Sequence, residues 1–419
     1  MKILLLGYGK EGQALENYFK SHKLHEDDKD FPEIEIWQDF TPEELLQRDY
    51  SPYDIIFRSP SVPPLHLKNE SSVTKFFFDH CPCPIIGVTA TKGKGTTCSF
   101  IYHLLKAHGE DAYLVGNIGE PAINVLDQLK ETSVVVYEMS SFQLWDLQKS
   151  PHTAVIGTIE PDHLNVHKDY AEYKNAKANI CRFQTTDDYL IYFKNNPESV
   201  ELANITDRPH KIPYPFEIPD EVKDAIKIPG GHNIDNAIAA LAAVASYKNI
   251  SPDEYSREYK TEIIKGLQSF HGLPHRLEFV RELDGVKFYD DNFSTNTAST
   301  KVALTAFPGE KVIPIIGGLD KTDYQDLPEL YEILNQDYIP AIILIGESGR
   351  EFMNRYQNSA LKGRLILADP LKDAVITAYT TAKITKTHLI IMSPAAASFD
   401  MFESVYDRGD QYKKIILDF

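Results

Sequence analysis

Three observations predict a multidomain α/β protein built on parallel, doubly wound sheets. Short apolar runs alternate with stretches of helical periodicity, glycine-rich turns stand at two strand-to-helix junctions (Gly7–Gly12 and Thr91–Thr97), and the chain has 419 residues. At roughly 100–200 residues per domain, that length argues for two to four cores rather than one.

The first block, residues 1–80, opens with Met1–Leu6, an apolar run read as a buried strand and too short for a secretory signal. Gly7-Tyr8-Gly9-Lys10-Glu11-Gly12 follows, then an amphipathic helix with Ala14, Leu15, Tyr18 and Phe19 on one face. Polar residues at 20–30 lead to a strand at Ile34–Trp37. A third strand, Asp54–Phe57, ends in the turn-rich Ser59-Pro60-Ser61-Val62-Pro63-Pro64.

The second block, residues 81–272, begins at the stiff junction Cys81-Pro82-Cys83-Pro84. Its alternation predicts strand Ile85–Thr89, a helix over about 96–108, strands Val134–Tyr137 and Ala154–Ile159, and a helix over about 170–183. Residues 185–230, with prolines at 197, 209, 213, 215 and 219, read as an irregular or β-rich insertion. The third block, 273–419, repeats the rhythm with strands at Lys287–Tyr289, Val312–Ile316, Ala341–Ile345, Leu365–Leu367 and His388–Met392. A second α/β layer structure follows.

Composition excludes several classes. Hydrophobic residues make up 42% and charged ones 25%, which rules out a collagenous or disordered chain. Acids outnumber Lys plus Arg by 61 to 43, giving a formal charge of −18, so neither nucleic acid nor an anionic membrane is an expected partner. No apolar run reaches transmembrane length. The four cysteines, Cys81, Cys83, Cys98 and Cys181, show no zinc spacing and fit a reduced cytoplasmic compartment.

Chemistry concentrates at strand ends. The Gly7–Gly12 turn suits a pyrophosphate at a helix N-terminus, or simply packs helix on strand; no hydride-transfer site accompanies it. Thr89-Ala90-Thr91-Lys92-Gly93-Lys94-Gly95-Thr96-Thr97 is a phosphate-cradling loop in which Lys94 reaches the β/γ oxygens. Val88 stands where a generic P-loop has glycine, and Gly95 follows the lysine, leaving Thr96 to supply the magnesium hydroxyl. Glu138 and His163, at later strand ends, crowd the same sheet edge and suit Mg²⁺ directly or through water, although singly each is an ordinary loop residue. In Gly231-His232-Asn233-x-x-Asn236, an asparagine either caps the next helix or meets a nucleotide base. His275-Arg276, Asp290-Asp291, Gly317–Lys321 and Ser393–Asp400 surround a small-ligand site in the third block. These residues amount to an ATP-using enzyme with an additional substrate domain.

These strings resemble the Mur ligases, most of all their D-glutamate-adding branch. The matching stretches are Gly116-Asn117-Ile118-Gly119, Glu138-Met139-Ser140-Ser141-Phe142-Gln143-Leu144, Pro161-Asp162-His163-Leu164-Asn165-x-His167, Ala176-Lys177-Ala178, Gly231-His232-Asn233, Gly272–Val280, and Ser393–Asp400 with Asp407-Arg408-Gly409. The resemblance implies three domains: a Rossmann-like, UDP-substrate-binding one at 1–80, a P-loop ATP-binding one at 81–272, and a Rossmann-like, amino-acid-binding one at 273–419. It implies a cytoplasmic, monomeric ligase joining D-glutamate to UDP-N-acetylmuramoyl-L-alanine for peptidoglycan, with ATP and Mg²⁺ and through an acyl phosphate. Another muramyl ligase or a folylpolyglutamate synthase-like ligase is the second reading, favoured by Gly95.

By the same resemblance, Thr91, Gly93, Lys94, Gly95, Thr96 and Thr97 hold ATP, with Asn236 at adenine, Arg276 at the γ-phosphate and Asp291 at the ribose. Thr96, Glu138, His163 and Lys177 serve two Mg²⁺ ions, Lys177 as the carbamylated lysine that supplies a carboxylate-like oxygen. Thr295 and Lys321 match contacts to the D-glutamate α-carboxylate, and Ser398 with Phe399 those to its side-chain carboxylate. Gly9 and Ser59 receive the UDP part, and Asn117 and Ser140 the muramoyl portion. Phe293 stands where this branch commonly has lysine.

Overall fold

The computed structural model describes residues 1–22, 31–117 and 119–419; the polar stretch 23–30 and Ile118 of the Gly116–Gly119 string lie outside the described residues. The chain divides into two compact units, Met1–Ile226 with Asn233–Phe270, and Lys227–His232 with His271–Phe419.

The first unit holds two sheets. One is four-stranded and parallel, in the order β2-β1-β3-β4, from β1 (Lys2–Leu6), β2 (Glu33–Trp37), β3 (Ile55–Arg58) and β4 (Glu70–Ser72). The other is six-stranded and parallel, in the order β10-β9-β8-β5-β7-β6. Its strands are β5 (Ile85–Thr89), β6 (Asp111–Gly116), β7 (Ser133–Glu138), β8 (Thr153–Ile156), β9 (Tyr189–Phe193) and β10 (His210–Tyr214). β5, β7 and β8 are buried at every position, as strands covered on both faces must be. One apolar core runs from Ile3, Phe19 and Phe77 to Val135, Tyr137 and Ala154, so the two sheets share their packing.

Several expectations need correction. Residues 185–230 are not an irregular insertion: they supply β9 and β10, which extend the central sheet in parallel, and the helices Pro197–Ala203 and Asp220–Asp224. Pro197 and Pro219 fall at helix starts, Pro213 lies on the edge strand and Pro209 and Pro215 flank it, places where a missing N–H is tolerated. The helix after the phosphate loop begins at Lys94, not 96, because left-handed Gly93 (φ +82°) turns the chain directly into it. The strand expected to reach Ile159 stops at Ile156, where Gly157 closes against the phosphate loop; a Cβ there would lie 2.8 Å from that of Ala90. β4 and β6 carry no clear signal in the sequence, being short or flanked by charge.

The second unit contains one six-stranded sheet, β11-β12-β16-β13-β14-β15, comprising β11 (Glu278–Leu283), β12 (Val286–Asp290), β13 (Val312–Gly317), β14 (Ile342–Ile345), β15 (Leu365–Leu367) and β16 (Leu389–Met392). All neighbours are parallel except β11 with β12, a hairpin edge that alternation does not reveal. The ends of β12, β16 and β13 lie side by side and carry the loops that matter below. Among the described residues, no helix is long and apolar enough to cross a membrane.

Candidate active site

In the first unit the site is organised by β5. Its fully buried Thr89 passes into Ala90-Thr91-Lys92-Gly93, and the helix Lys94–Ala107 starts at once, so Lys94, Gly95 and Thr96 occupy the positive end of a helix dipole. A Cβ on Gly93 would come within 2.6 Å of Asn236 Oδ1, so only glycine fits between loop and asparagine. Asn236 also accepts from Thr97 Oγ1 at 3.3 Å and donates to Asn233 Oδ1 at 3.2 Å. Neither asparagine caps the helix Gly231–Tyr247; both lie inside its first turns. Thr91 Oγ1 joins Glu160, accepting from its N–H at 2.9 Å, and lies 2.8 Å from Tyr173 Oη.

Two lysines converge on one carbonyl. Lys94 Nζ donates to Ala90 O at 2.9 Å, and Lys177 Nζ donates to the same oxygen at 2.8 Å. Lys177 is 1% exposed, lies 4.8 Å over the Tyr173 ring and donates also to Thr89 Oγ1 at 3.3 Å. Burial, reinforced by the like charge of Lys94 and opposed by Asp162 and Glu138, holds its amine well below the usual lysine range. Tyr173 is a site residue that sequence reasoning misses, although it lies one helical turn before Lys177 on the same face, a spacing open to view in the sequence.

Glu138 ends β7, level with Val88, and is 5% exposed. Gly116 of β6 is its neighbour; a Cβ there would lie 2.3 Å from Glu138 O. His163 adopts φ +53°, its ring 4.9 Å from that of Phe142 and its Nε2 3.4 Å from Asp162 Oδ2. The hydroxyl of Ser140 is engaged in a capping box with Gln143 at the start of the helix Ser141–Leu144. Asn117 is exposed beyond β6.

The first sheet reaches this site through polar ties. Gln143 Nε2 donates to Glu11 Oε1 at 2.6 Å, while Glu11 Oε2 is buried without a hydrogen bond. Burial therefore pushes the Glu11 carboxyl up to about 7. Arg58, fully buried, pairs with Asp146 and donates to Val62 O at 3.0 Å. Within the glycine turn, Ser59 Oγ donates to Gly7 O at 2.9 Å, and Gly9 faces open space, with nothing within 4 Å of the point a Cβ would occupy.

The second unit gathers its predicted residues at the carboxyl ends of β12, β16 and β13. Asp291 accepts from Ser393 Oγ at 2.7 Å and from Leu277 N–H at 3.1 Å, and burial raises its carboxyl to about 6. Arg276 is exposed, its guanidinium 5.1 Å over the ring of Phe293. Lys321 Nζ donates to Thr295 Oγ1 at 3.1 Å. Ser398 is 2% exposed with its hydroxyl unpartnered, whereas Phe399 is 68% exposed. Arg408, unassigned a role from sequence, fixes this loop: it donates to Ala397 O at 3.0 Å, Ala396 O at 3.2 Å and Asn292 Oδ1 at 2.7 Å. Gly318 (φ +145°) lets the loop close, since a Cβ would meet Ala397 O at 2.1 Å.

Among the described residues, His275, Glu278 and Asp290 form a His/acid group with ligand atoms within 4.8 Å of one another. It is already knit internally, His275 Nδ1 to Asp290 Oδ2 at 2.7 Å and His275 N–H to Glu278 Oε2 at 2.8 Å, and Lys413 Nζ donates to Glu278 Oε2 at 3.2 Å. For the magnesium set expected in the first unit, Glu138 and the Thr96 hydroxyl offer the oxygen donors a hard cation takes, His163 serves directly or through water, and Lys177 fits only once its amine is carbamylated.

Comparison with known proteins gives the family. The family profile "Mur ligase middle domain" matches residues 88–218. The UDP-N-acetylmuramoylalanine–D-glutamate ligase of Acetivibrio thermocellus is 34% identical over 403 residues, 87% of this chain and 82% of that protein. The enzyme of the same name from Clostridium kluyveri is 34% identical over 412 residues, 90% and 85% of the two chains. Among solved structures, the MurF ligase of Thermotoga maritima in complex with ADP superposes with a TM-score of 0.57 at 16% identity, covering 87% of this chain and 90% of that one. The MurC ligase of the same organism gives 0.59 at 15%, covering 100% and 99%. With the sequence identity spanning most of both chains, and the fold shared with solved muramyl ligases, this chain belongs to the Mur ligases, in the family of the UDP-N-acetylmuramoylalanine–D-glutamate ligases.

Proposed function

We infer that the chain is an ATP- and Mg²⁺-dependent ligase that joins D-glutamate to UDP-N-acetylmuramoyl-L-alanine in peptidoglycan-precursor synthesis. The observation that carries the reading is the sharing of Ala90 O by Lys94 and Lys177. Two ammonium groups on one neutral oxygen repel, and the buried one is the one that gives up its proton. A neutral Lys177 amine adds CO₂, forming an N–C bond and releasing a proton. The carbamate then turns a cation into an anionic oxygen donor beside Glu138.

Bound Mg²⁺ would neutralise phosphate charge during transfer, and Glu138, His163, Thr96 and carbamylated Lys177 would hold it. Lys94 and the amides of Gly93–Thr97 bind the phosphates, Asn236 the adenine, Asp291 the ribose and Arg276 the γ-phosphate. The substrate carboxylate takes the phosphoryl group, and the amine of D-glutamate displaces phosphate from the resulting acyl phosphate to form the amide. Thr295 and Lys321 orient the α-carboxylate; the unpartnered hydroxyl of Ser398 and the backbone at Phe399 receive the other. Gly9, Ser59, Asn117 and Ser140 serve the UDP-muramoyl part.

Residues 1–80, 81–272 and 273–419 act as substrate-, nucleotide- and amino-acid-binding domains of a cytoplasmic monomer. A phosphate-release assay resolved by substrate tests this reading. Release should require both UDP-N-acetylmuramoyl-L-alanine and D-glutamate. Release with a folate and L-glutamate, or with another amino acid in place of D-glutamate, would move the chain to another branch.

A further inference from the structure

A pair of thiols lies away from everything above, at the amino ends of β5 and β8. Cys81 closes the helix Val73–His80, its N–H donating to Phe77 O at 2.8 Å, and Cys83 stands two residues before β5. Their sulfurs are 3.7 Å apart, and Cys81 Sγ also reaches Cys83 O at 3.5 Å. Both line a cleft of about 350 Å³ with Lys149, His152, Phe183 and Asp188. Cys81 is partly exposed, whereas Cys98 and Cys181 are fully buried.

We propose that Cys81 and Cys83 form a thiol–disulfide exchange site for low-molecular-weight disulfides that enter this cleft, Cys81 as nucleophile and Cys83 as resolving thiol. The Cys81 thiolate attacks one sulfur of the incoming disulfide; that S–S bond breaks, a mixed disulfide forms and one small thiolate leaves to take up a proton. Cys83 then loses its proton and attacks Cys81 Sγ, expelling the second small thiol and leaving a Cys81–Cys83 bridge. Two protein thiols are oxidised by two electrons, and the small disulfide is reduced to two thiols.

The division of roles follows from position. Cys81 is the partly exposed sulfur and Cys83 the buried one. The contact between the two thiols lowers Cys81 from its ordinary value and raises Cys83, while burial pushes Cys98 well up and Cys181 up to about 12.

Oxidised glutathione added to the native full-length chain tests the site, read by intact mass and by peptide mapping after alkylation. The expected product has lost two hydrogens and is bridged between Cys81 and Cys83, with dithiothreitol restoring it. Cys83→Ser should trap one glutathione on Cys81, and Cys81→Ser should react at least about tenfold more slowly. Adducts on Cys98 or Cys181 ahead of Cys81, a wild-type adduct on Cys81 that never resolves, equal rates for the two serine variants, or reaction only after urea unfolding would each overturn the proposal.

Discussion

The Glu11–Gln143 tie makes a quantitative prediction about the first unit. Glu11 accepts one hydrogen bond through Oε1, and its second oxygen is buried with none. Raising its carboxyl from 4.5 to about 7 means that ionisation at high pH is disfavoured in the folded state by about 3 kcal/mol relative to the unfolded chain. Because the folded value is the higher one, the penalty is full above pH 7 and is relieved as pH falls from about 7 to 4.5. Glu11→Gln keeps an oxygen for Gln143 to bond and cannot ionise. The variant should therefore be more stable than wild type by up to about 3 kcal/mol at pH 8.5, with the difference vanishing near pH 4.5. Both tryptophans, Trp37 and Trp145, lie in the first unit, so urea unfolding followed by their emission reports that unit alone. The midpoint gain at pH 8.5 should be on the order of 1 M urea. A gain independent of pH, or a loss at pH 8.5, would refute the assignment of a buried, poorly solvated carboxylate.

Three further outcomes bear on the ligase reading. Lys177→Ala should lose most activity, and added short carboxylates should restore part of it; full activity without them would remove the carbamate role. Phe293→Leu should raise KM for ATP several-fold, in line with the roughly 0.5–2 kcal/mol of a cation–π contact to Arg276, while Phe293→Trp stays near wild type. An unchanged KM in the leucine variant would show that the ring does not position the guanidinium. Lys321→Gln should weaken D-glutamate by about tenfold or more and leave KM for ATP alone, because in the proposed reading the lysine, bonded to Thr295, pairs with the D-glutamate α-carboxylate and not with the nucleotide; initial-rate kinetics with each substrate varied separate the two.

Local chemistry is legible in the sequence wherever one loop carries it. Lys94 and Gly93 announce themselves by a strand before and a helix after, and Asp291 and Lys321 follow strands read from alternation, whereas Thr295 enters only through the family resemblance. What stays hidden depends on contacts distant along the chain. The joint hold of Lys94 and Lys177 on Ala90 O spans 87 residues for Lys177, and the Arg408 clamp on Asn292 spans 116. Residues 185–230 mislead because their prolines suggest breaks in the backbone pattern. In fact they sit at helix starts and along an edge, where the backbone asks nothing of them.

That edge has its own consequence. β10 is the outermost strand of the nucleotide-binding sheet, and Pro213 stands within it, with Lys211 two residues before. A second molecule docking its own strand there would find one amide hydrogen missing and a charged side chain nearby. Such an arrangement disfavours growth of the sheet from copy to copy and leaves the open row as a terminus rather than a template.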